Sequence, residues 1–126
     1  MCSGDSLMSR PIDRSEVNAF FTALRRRESP LAFWSHDRTN GQEKLIDGYV
    51  QTVTETLLEI ENAGDETHTF VLLATVVEFI QLELNDAPTQ IRTIAKDSYN
   101  FVLGFHAGKY ACCVMAKDLR DTVAAK

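Results

Sequence analysis

The chain has 126 residues, which is enough for one domain and too short for two comfortable ones. Hydrophobic residues make up 44% and charged residues 25% of it, a balance that excludes a disordered tail, a collagen-like fibre and a membrane span. The net charge is −5, and residues 45–91 contain nine acids with no lysine or arginine. This layout argues against nucleic-acid binding and permits a basic protein partner. The alternative is that acidic segments lie beside basic ones within the fold.

The cysteines and the first residues indicate a cellular compartment. Cys2, Cys112 and Cys113 are too few, and two of them too close in sequence, to make a disulfide framework. A reducing environment is therefore expected. Residues 1–10 do not resemble a secretory signal, and no apolar run approaches the ~20 residues of a membrane helix. The sequence predicts a cytoplasmic protein without a membrane segment.

The chain order begins with a predicted flexible tail, residues 1–11, followed by a single α-helical domain, residues 12–126. The first helix has a clear start, because Asp13 and Glu16 have the spacing of a capping box. Apolar residues then recur at helical spacing, and three arginines suit the helix C-terminus. The stripe consists of Val17, Phe20, Phe21 and Leu24.

Four more amphipathic segments follow the first helix. Their apolar residues fit a 3.6-residue period, and Gly64, Pro88, Gly104 and Gly108 supply stops, starts or kinks. The predicted helices cover residues 40–64, 67–85, 88–104 and 109–123. The fold class predicted from these segments is all-α, an antiparallel bundle of four to five helices.

A strand is the competing interpretation for residues 70–84. Val71, Thr75, Val76, Val77 and Ile80 are β-branched, which favours strands. The run exceeds the usual strand length of about 4–8 residues, so the helix is preferred. A circular dichroism spectrum without strong helical minima would contradict the bundle.

Five residues are candidates for binding a small ligand. They carry aromatic, imidazole or carboxylate side chains and lie in segments next to the apolar faces of the predicted helices. In a bundle they would line a pocket between helices; otherwise the aromatic residues plug one end and the polar ones face water. These candidates are Trp34, His36, Glu78, Tyr99 and His106.

The sequence contains no recognisable catalytic or metal-binding motif. Adjacent residues such as Ser35, His36 and Asp37 cannot form a catalytic triad in an extended chain. No Cys-x-x-Cys, His-x-x-x-His or Glu-x-x-His spacing indicates a metal. The sequence therefore predicts no catalytic residue, no metal and no cofactor.

Some apolar residues fall outside the inner faces of the predicted helices and are candidates for a partner interface. Scattered exposed apolar residues are also normal on a monomer. The candidates are Leu58, Tyr110, Cys113 and Val114.

Two functional hypotheses follow. The first is a small acidic helical interaction module of the adaptor, inhibitor or immunity type, with no chemistry of its own. It would bind another protein and form a homodimer. The alternative is a helical bundle, or an enzyme built on one, that binds a small ligand between its helices.

Overall fold

A computed structural model describes residues 9–64, 67–93 and 99–119, and this part of the chain is mainly β-structure. The predicted all-α bundle is therefore wrong. In chain order the elements are β1 (Ser9–Ile12), α1 (Arg14–Arg27), β2 (Leu31–Asp37), β3 (Glu43–Val53), β4 (Leu57–Asn62), β5 (His68–Leu72), β6 (Phe79–Leu82), α2 (Thr89–Arg92), β7 (Phe101–Ala107) and β8 (Tyr110–Ala116). Short 3₁₀ turns lie at Leu73–Thr75 and Leu84–Asp86.

The strands of the described residues form one sheet with the order β1-β6-β7-β8-β2-β3-β4-β5, and every pairing is antiparallel. The sheet must curl, because β5 and β6 lie six places apart in it. In a flat sheet that separation would be about 29 Å. The seven Cα steps from Leu72 to Phe79 reach at most about 25 Å. Helix α1 packs on one side of this curled sheet.

Helix α1 confirms the prediction made for the first helix. Asp13 is its N-cap, and the capping box with Glu16 is present. The four residues of the predicted apolar stripe are all buried. The helix ends with Glu28 in the left-handed conformation (φ 51°), one residue after the three arginines. Local sequence signals predict helix α1 correctly, and the packing of its buried stripe agrees with them.

The predicted helix 40–64 is instead the hairpin of β3 and β4. Ile46, Gly48 and Val50 are buried and alternate with exposed residues, as in a strand with one covered face. Gly48 allows close approach of β4, because a Cβ atom there would collide with the carbonyl oxygen of Glu61. The apolar residues of this segment also fit a helical period, although the segment is a hairpin. Neighbouring apolar residues such as Leu45 and Ile46 are compatible with both the helical period and the alternation of a strand.

The remaining predicted helices are also corrected. Residues 67–85 contain β5, a 3₁₀ turn and β6, so the competing strand interpretation holds for part of them. Of the described residues in the predicted helix 88–104, only Thr89–Arg92 are helical, and Pro88 is the N-cap. The predicted helix 109–123 is β8 as far as residue 116. Residues 9–11, assigned to the tail, belong to β1, whereas residues 1–8 lie outside the described part.

The two faces of the sheet have different cover. The inner face packs on α1, and the side chains of the two together form the larger apolar cluster. This cluster includes Phe20 of α1 and Phe33, Leu103 and Val114 of the sheet. Alternate residues of the same strands point to the outer face. There the segment around α2 covers a smaller cluster of Ala32, Trp34, Ala87, Ile91, Val102, Cys113 and Met115.

Candidate functional site

The outer face of the central strands carries a short row of chemistry-bearing side chains. In the sheet register His36 of β2 lies opposite Ala111 of β8, and Ala111 lies opposite His106 of β7. Directly opposed residues of antiparallel strands point to the same face. The next row on this face consists of Trp34, Cys113 and Gly104. In these two rows the positions of β8 and one position of β7 therefore carry small residues. The rings of Trp34, His36 and His106 lie beside them.

A cavity of about 650 Å³ lies over these rows, within the range typical of small-molecule sites. Its floor includes Gly104, Ala111 and Cys113. Its walls are mainly apolar and come from β2, β6 and the segments flanking β6. The charged and imidazole groups that line it are Arg38, Glu78, Asp86 and His106.

Trp34 lines this cavity with an unused hydrogen-bond donor. The side chain is 9% exposed, and no acceptor among the described residues reaches its Nε1 atom. A buried N–H without a partner costs free energy, so such groups in native proteins call for an explanation.

Gly104 keeps the floor of the cavity low. A Cβ atom at this position would lie 3.0 Å from Cδ1 of Leu82, so a side chain would press on the cavity wall. Ala111, one strand away, adds only a methyl group. The backbone of the sheet is therefore accessible to a broad, flat molecule in this region.

Arg38 is fixed at one rim of the cavity by the tip of the β7–β8 hairpin. Its backbone N–H donates to the carbonyl of Lys109 at 3.0 Å, and its Nη2 donates to the carbonyl of Gly108 at 3.0 Å. Its Nη1 lies 3.4 Å from Nδ1 of His106. The guanidinium group and the His106 imidazole are therefore held together at the cavity.

Asp37 locks the loop that carries Arg38. The backbone N–H and the hydroxyl of Thr39 donate to its Oδ1 at 2.9 and 2.6 Å, and Lys109 Nζ lies 3.2 Å from Oδ2. The hydrogen bonds from Thr39, followed by the charge of Lys109, lower the pKa of Asp37 to about 2. The buried carboxylate thus joins this loop to the hairpin tip, where Gly108 (φ 61°) makes the tight turn.

The structure brings together most of the ligand-binding residues predicted from the sequence. Trp34, Glu78 and His106 line the cavity, and Glu78 is exposed at its rim. His36 is beside it, with its ring 5.9 Å from the Trp34 ring. Tyr99 packs against the smaller apolar cluster on the same face, and burial raises its pKa.

Sequence reasoning missed three contributors to the cavity: Arg38, Gly104 and Ala111. The signal for the two small residues is a run of strand positions on one face without large side chains. It becomes visible only once the strand register is known, because a helical interpretation assigns these positions to other faces.

The predicted interface residues do not form a surface. Leu58, Cys113 and Val114 are almost completely buried in the sheet, whereas Tyr110 is 41% exposed. Burial raises the pKa of the Cys113 thiol to about 12. On the predicted helices these residues fall outside the inner faces, but in the sheet three of the four are buried. The prediction that all four are exposed is therefore wrong.

Two further observations concern metals and membranes. Among residues 9–64, 67–93 and 99–119, no three or more His, Cys, Asp or Glu side chains converge as a metal-binding group. None of the helices in these ranges is long and apolar enough to cross a membrane.

Comparison with known proteins gives similarity of fold. No model of a known protein family matches the chain, and no curated protein is recognisably similar in sequence. The crystal structure of apo-PhuS, a heme-binding protein from Pseudomonas aeruginosa, matches 88% of this chain and 30% of its own, with a TM-score of 0.53 and 8% identity. The heme-degrading enzyme ChuS of Escherichia coli O157:H7 matches 94% of this chain and 35% of its own, with a TM-score of 0.54 and 15% identity.

The chain spans about a third of the length of these two proteins, and at these identities the similarity is one of fold alone. It nevertheless overturns both functional hypotheses drawn from the sequence. A helical adaptor, inhibitor or immunity-type module and a bundle with a site between helices both require helices that this sheet replaces. The homodimer and the basic partner stay predictions.

Proposed function

We propose that the protein binds heme in the cavity on the outer face of its sheet. The observation that carries the proposal is that Trp34, His106 and Arg38 line a cavity with a floor of small residues, with His36 beside it on the same face of the sheet. Two proteins of similar fold are a heme-binding protein and a heme-degrading enzyme, which supports this choice among flat ligands.

The chemistry of the cavity fits that of heme. The ring of heme is flat and apolar, and apolar groups such as Val77, Ile80 and Leu82 dominate the cavity walls. Heme also carries carboxylates, for which the Arg38 guanidinium is a suitable partner. Histidine is a common protein ligand of heme iron, and two imidazoles lie on this face.

The proposal concerns binding, and this chain's residues account for it as follows. The apolar walls would exclude water from the ring, Arg38 would pair with a carboxylate, and an imidazole on this face would hold the iron. The proposal departs from the expectation of no cofactor and keeps the predicted cytoplasmic location. The described cysteines, Cys112 and Cys113, are both free and buried, in agreement with a reducing compartment.

A titration with hemin tests the proposal. Trp34 is the only tryptophan in the chain, so its fluorescence reports on the cavity directly. We expect saturable quenching of this fluorescence at one hemin per chain, together with a shifted Soret band. Iron-free protoporphyrin should bind more weakly, because it lacks the bond from iron to imidazole.

Two variants separate binding in the cavity from adsorption to the surface. Ala111→Leu fills the floor and should weaken hemin binding at least ten-fold while the thermal unfolding midpoint changes little. His68→Ala removes the third histidine of the chain, which lies on β5 beside Glu59 and away from the cavity. It should bind like the unmodified protein. Equal affinity of Ala111→Leu and the unmodified protein, or no saturable binding by either, would contradict the proposal.

A further inference from the structure

A second cavity opens on the other side of the sheet from the proposed heme site. Its volume is about 390 Å³, within the range typical of small-molecule sites. Its walls come from β2, β5, the start of β3 and the β7–β8 hairpin, and none of its lining residues belongs to α1. The cavity therefore lies at the end of the inner face that helix α1 leaves uncovered.

The strand register explains why this end of the inner face is both apolar and open. Ser35 lies opposite Lys44 on one side and opposite Cys112 on the other. The neighbouring row on the same face contains Phe33 and Val114, which belong to the core that packs on α1. Large buried side chains thus give way to a serine and a lysine along the sheet. The apolar core continues into the cavity and ends in polar groups at its mouth.

Exposed apolar side chains surround the same opening. Five large apolar side chains are exposed in the described part of the chain, and three of them line this cavity. These are Phe70 (60% exposed), Leu72 (59%) and Tyr110 (41%). Phe70 and Leu72 belong to β5, an edge strand of the sheet. Exposed apolar groups that cluster beside a concave site indicate contact with an apolar ligand group.

The charge at this cavity is positive, although the whole chain carries −5. Lys44 and Lys109 line it, and none of the described residues that line it is acidic. Lys109 Nζ lies 3.2 Å from Oδ2 of Asp37, whereas no hydrogen bond or ion pair among the described residues engages Lys44. The two ammonium groups and the Asp37 carboxylate leave one positive charge uncompensated, which a monoanion would balance.

We propose that this second cavity binds a short free aliphatic carboxylic acid in its ionised form. The aliphatic chain would lie against Phe33, Val71 and Leu72. The carboxylate would accept hydrogen bonds from Lys44 and from Lys109, whose ammonium has three donors to share with Asp37. One uncompensated positive charge favours a monocarboxylate over a phosphate, which carries more negative charge at neutral pH. The inference goes beyond the proposed function, because it requires no heme.

Isothermal titration calorimetry with octanoate tests the proposal. We expect saturable binding of one octanoate per chain. Octan-1-ol has the same chain without the charge, and acetate has the charge without the chain, so both should bind at least about ten-fold more weakly. Octanol binding as tightly as octanoate would contradict the role of the lysines, and acetate binding as tightly would contradict that of the apolar walls. No saturable octanoate binding would overturn the proposal.

Three variants locate the bound octanoate. Lys44→Met removes the charge of an exposed side chain and should weaken binding about ten-fold, whereas Lys117→Met makes the same change on an exposed lysine outside the cavity and should have no effect. Ala111→Leu separates the two cavities, because Gly108 and Cys112 line both and Ala111 lines only the outer one. It should leave octanoate binding unchanged.

Equal affinities of Lys44→Met and Lys117→Met, or loss of octanoate binding in Ala111→Leu, would overturn the proposal. A chain that binds octanoate as expected but does not bind hemin would contradict the proposed function alone.

Discussion

The inner and outer faces of the sheet are built from alternate residues of the same strands, yet the inner face is closely packed where it meets α1 and the outer face borders a cavity. On the inner face Phe101 packs on Phe20 of helix α1 with ring centroids 4.3 Å apart, and both side chains are almost fully buried. On the outer face Trp34 lies beside a cavity with an unused donor. Close packing maximises stability, whereas a binding site requires unfilled volume and unsatisfied polar groups. The inner face beneath α1 therefore contributes stability, and the outer face is suited to recognition of a ligand.

The largest expected effect tests the stabilising role of the inner face. Phe20→Ala removes a fully buried ring and should lower the free energy of unfolding by about 3–5 kcal/mol, measured by urea denaturation. Val77→Ala is the control, because Val77 is 95% exposed and its truncation should change stability by less than about 0.5 kcal/mol. Similar losses in the two variants would break the comparison.

A smaller effect is expected at Asp37, which joins the loop of Arg38 to the hairpin tip. The folded protein lowers the pKa of Asp37 from 3.8 to about 2, so its charged form favours folding. This contribution is complete above about pH 4 and is lost as the pH falls through about 2. Asp37→Asn should therefore unfold at a lower temperature than the unmodified protein at pH 7, with the difference shrinking toward pH 2.

Calorimetric melting curves of both proteins at several pH values measure this difference. Glu55→Gln, in the exposed turn between β3 and β4, is the control and should follow the unmodified protein. A difference between Asp37→Asn and the unmodified protein that persists unchanged at pH 2 would exclude the carboxylate as its source.

The smallest expected effect sharpens the role of the outer face. Trp34→Phe keeps an aromatic ring and removes the N–H that lacks a partner among the described residues. Hemin affinity should fall by less than about five-fold, because phenylalanine covers less of the cavity wall than the indole of Trp34 does. The free energy of unfolding should fall by less than about 1.5 kcal/mol, because the cavity beside the ring is already open. Soret titration and urea denaturation measure the two quantities. A larger loss of stability than of affinity would place Trp34 with the core.

The sequence predicted little of the sheet, and β8 shows why. Its central residues Cys112 to Ala116 are buried on both faces, so they form a continuous apolar run without the alternation that identifies a strand. Such a run also fits a buried helix. In β7 the run from Phe101 to Phe105 is similarly apolar apart from Gly104. Strands β3, β4 and β6 show partial alternation, but their apolar residues also fit a helical period.

The candidate site was predicted better than the fold that carries it. Trp34, His36 and His106 were selected for their chemistry, and this choice did not depend on the secondary structure. Their proximity did depend on it, because β2 and β7 are separated by over 60 residues in the chain and by one strand in the sheet. Arg38 contacts His106 for the same reason.

The sequence by itself determined helix α1, its capping box and its buried stripe, because these depend on contacts between residues at most a few positions apart. It also identified the aromatic and imidazole groups of the cavity. The tertiary structure alone decided the strand register, and with it which alternate residues face the core and which face the cavity. A shift of one residue in β8 relative to β2 would exchange the two faces, and no contact between residues close in the chain sets that pairing, because β2 and β8 are far apart in sequence.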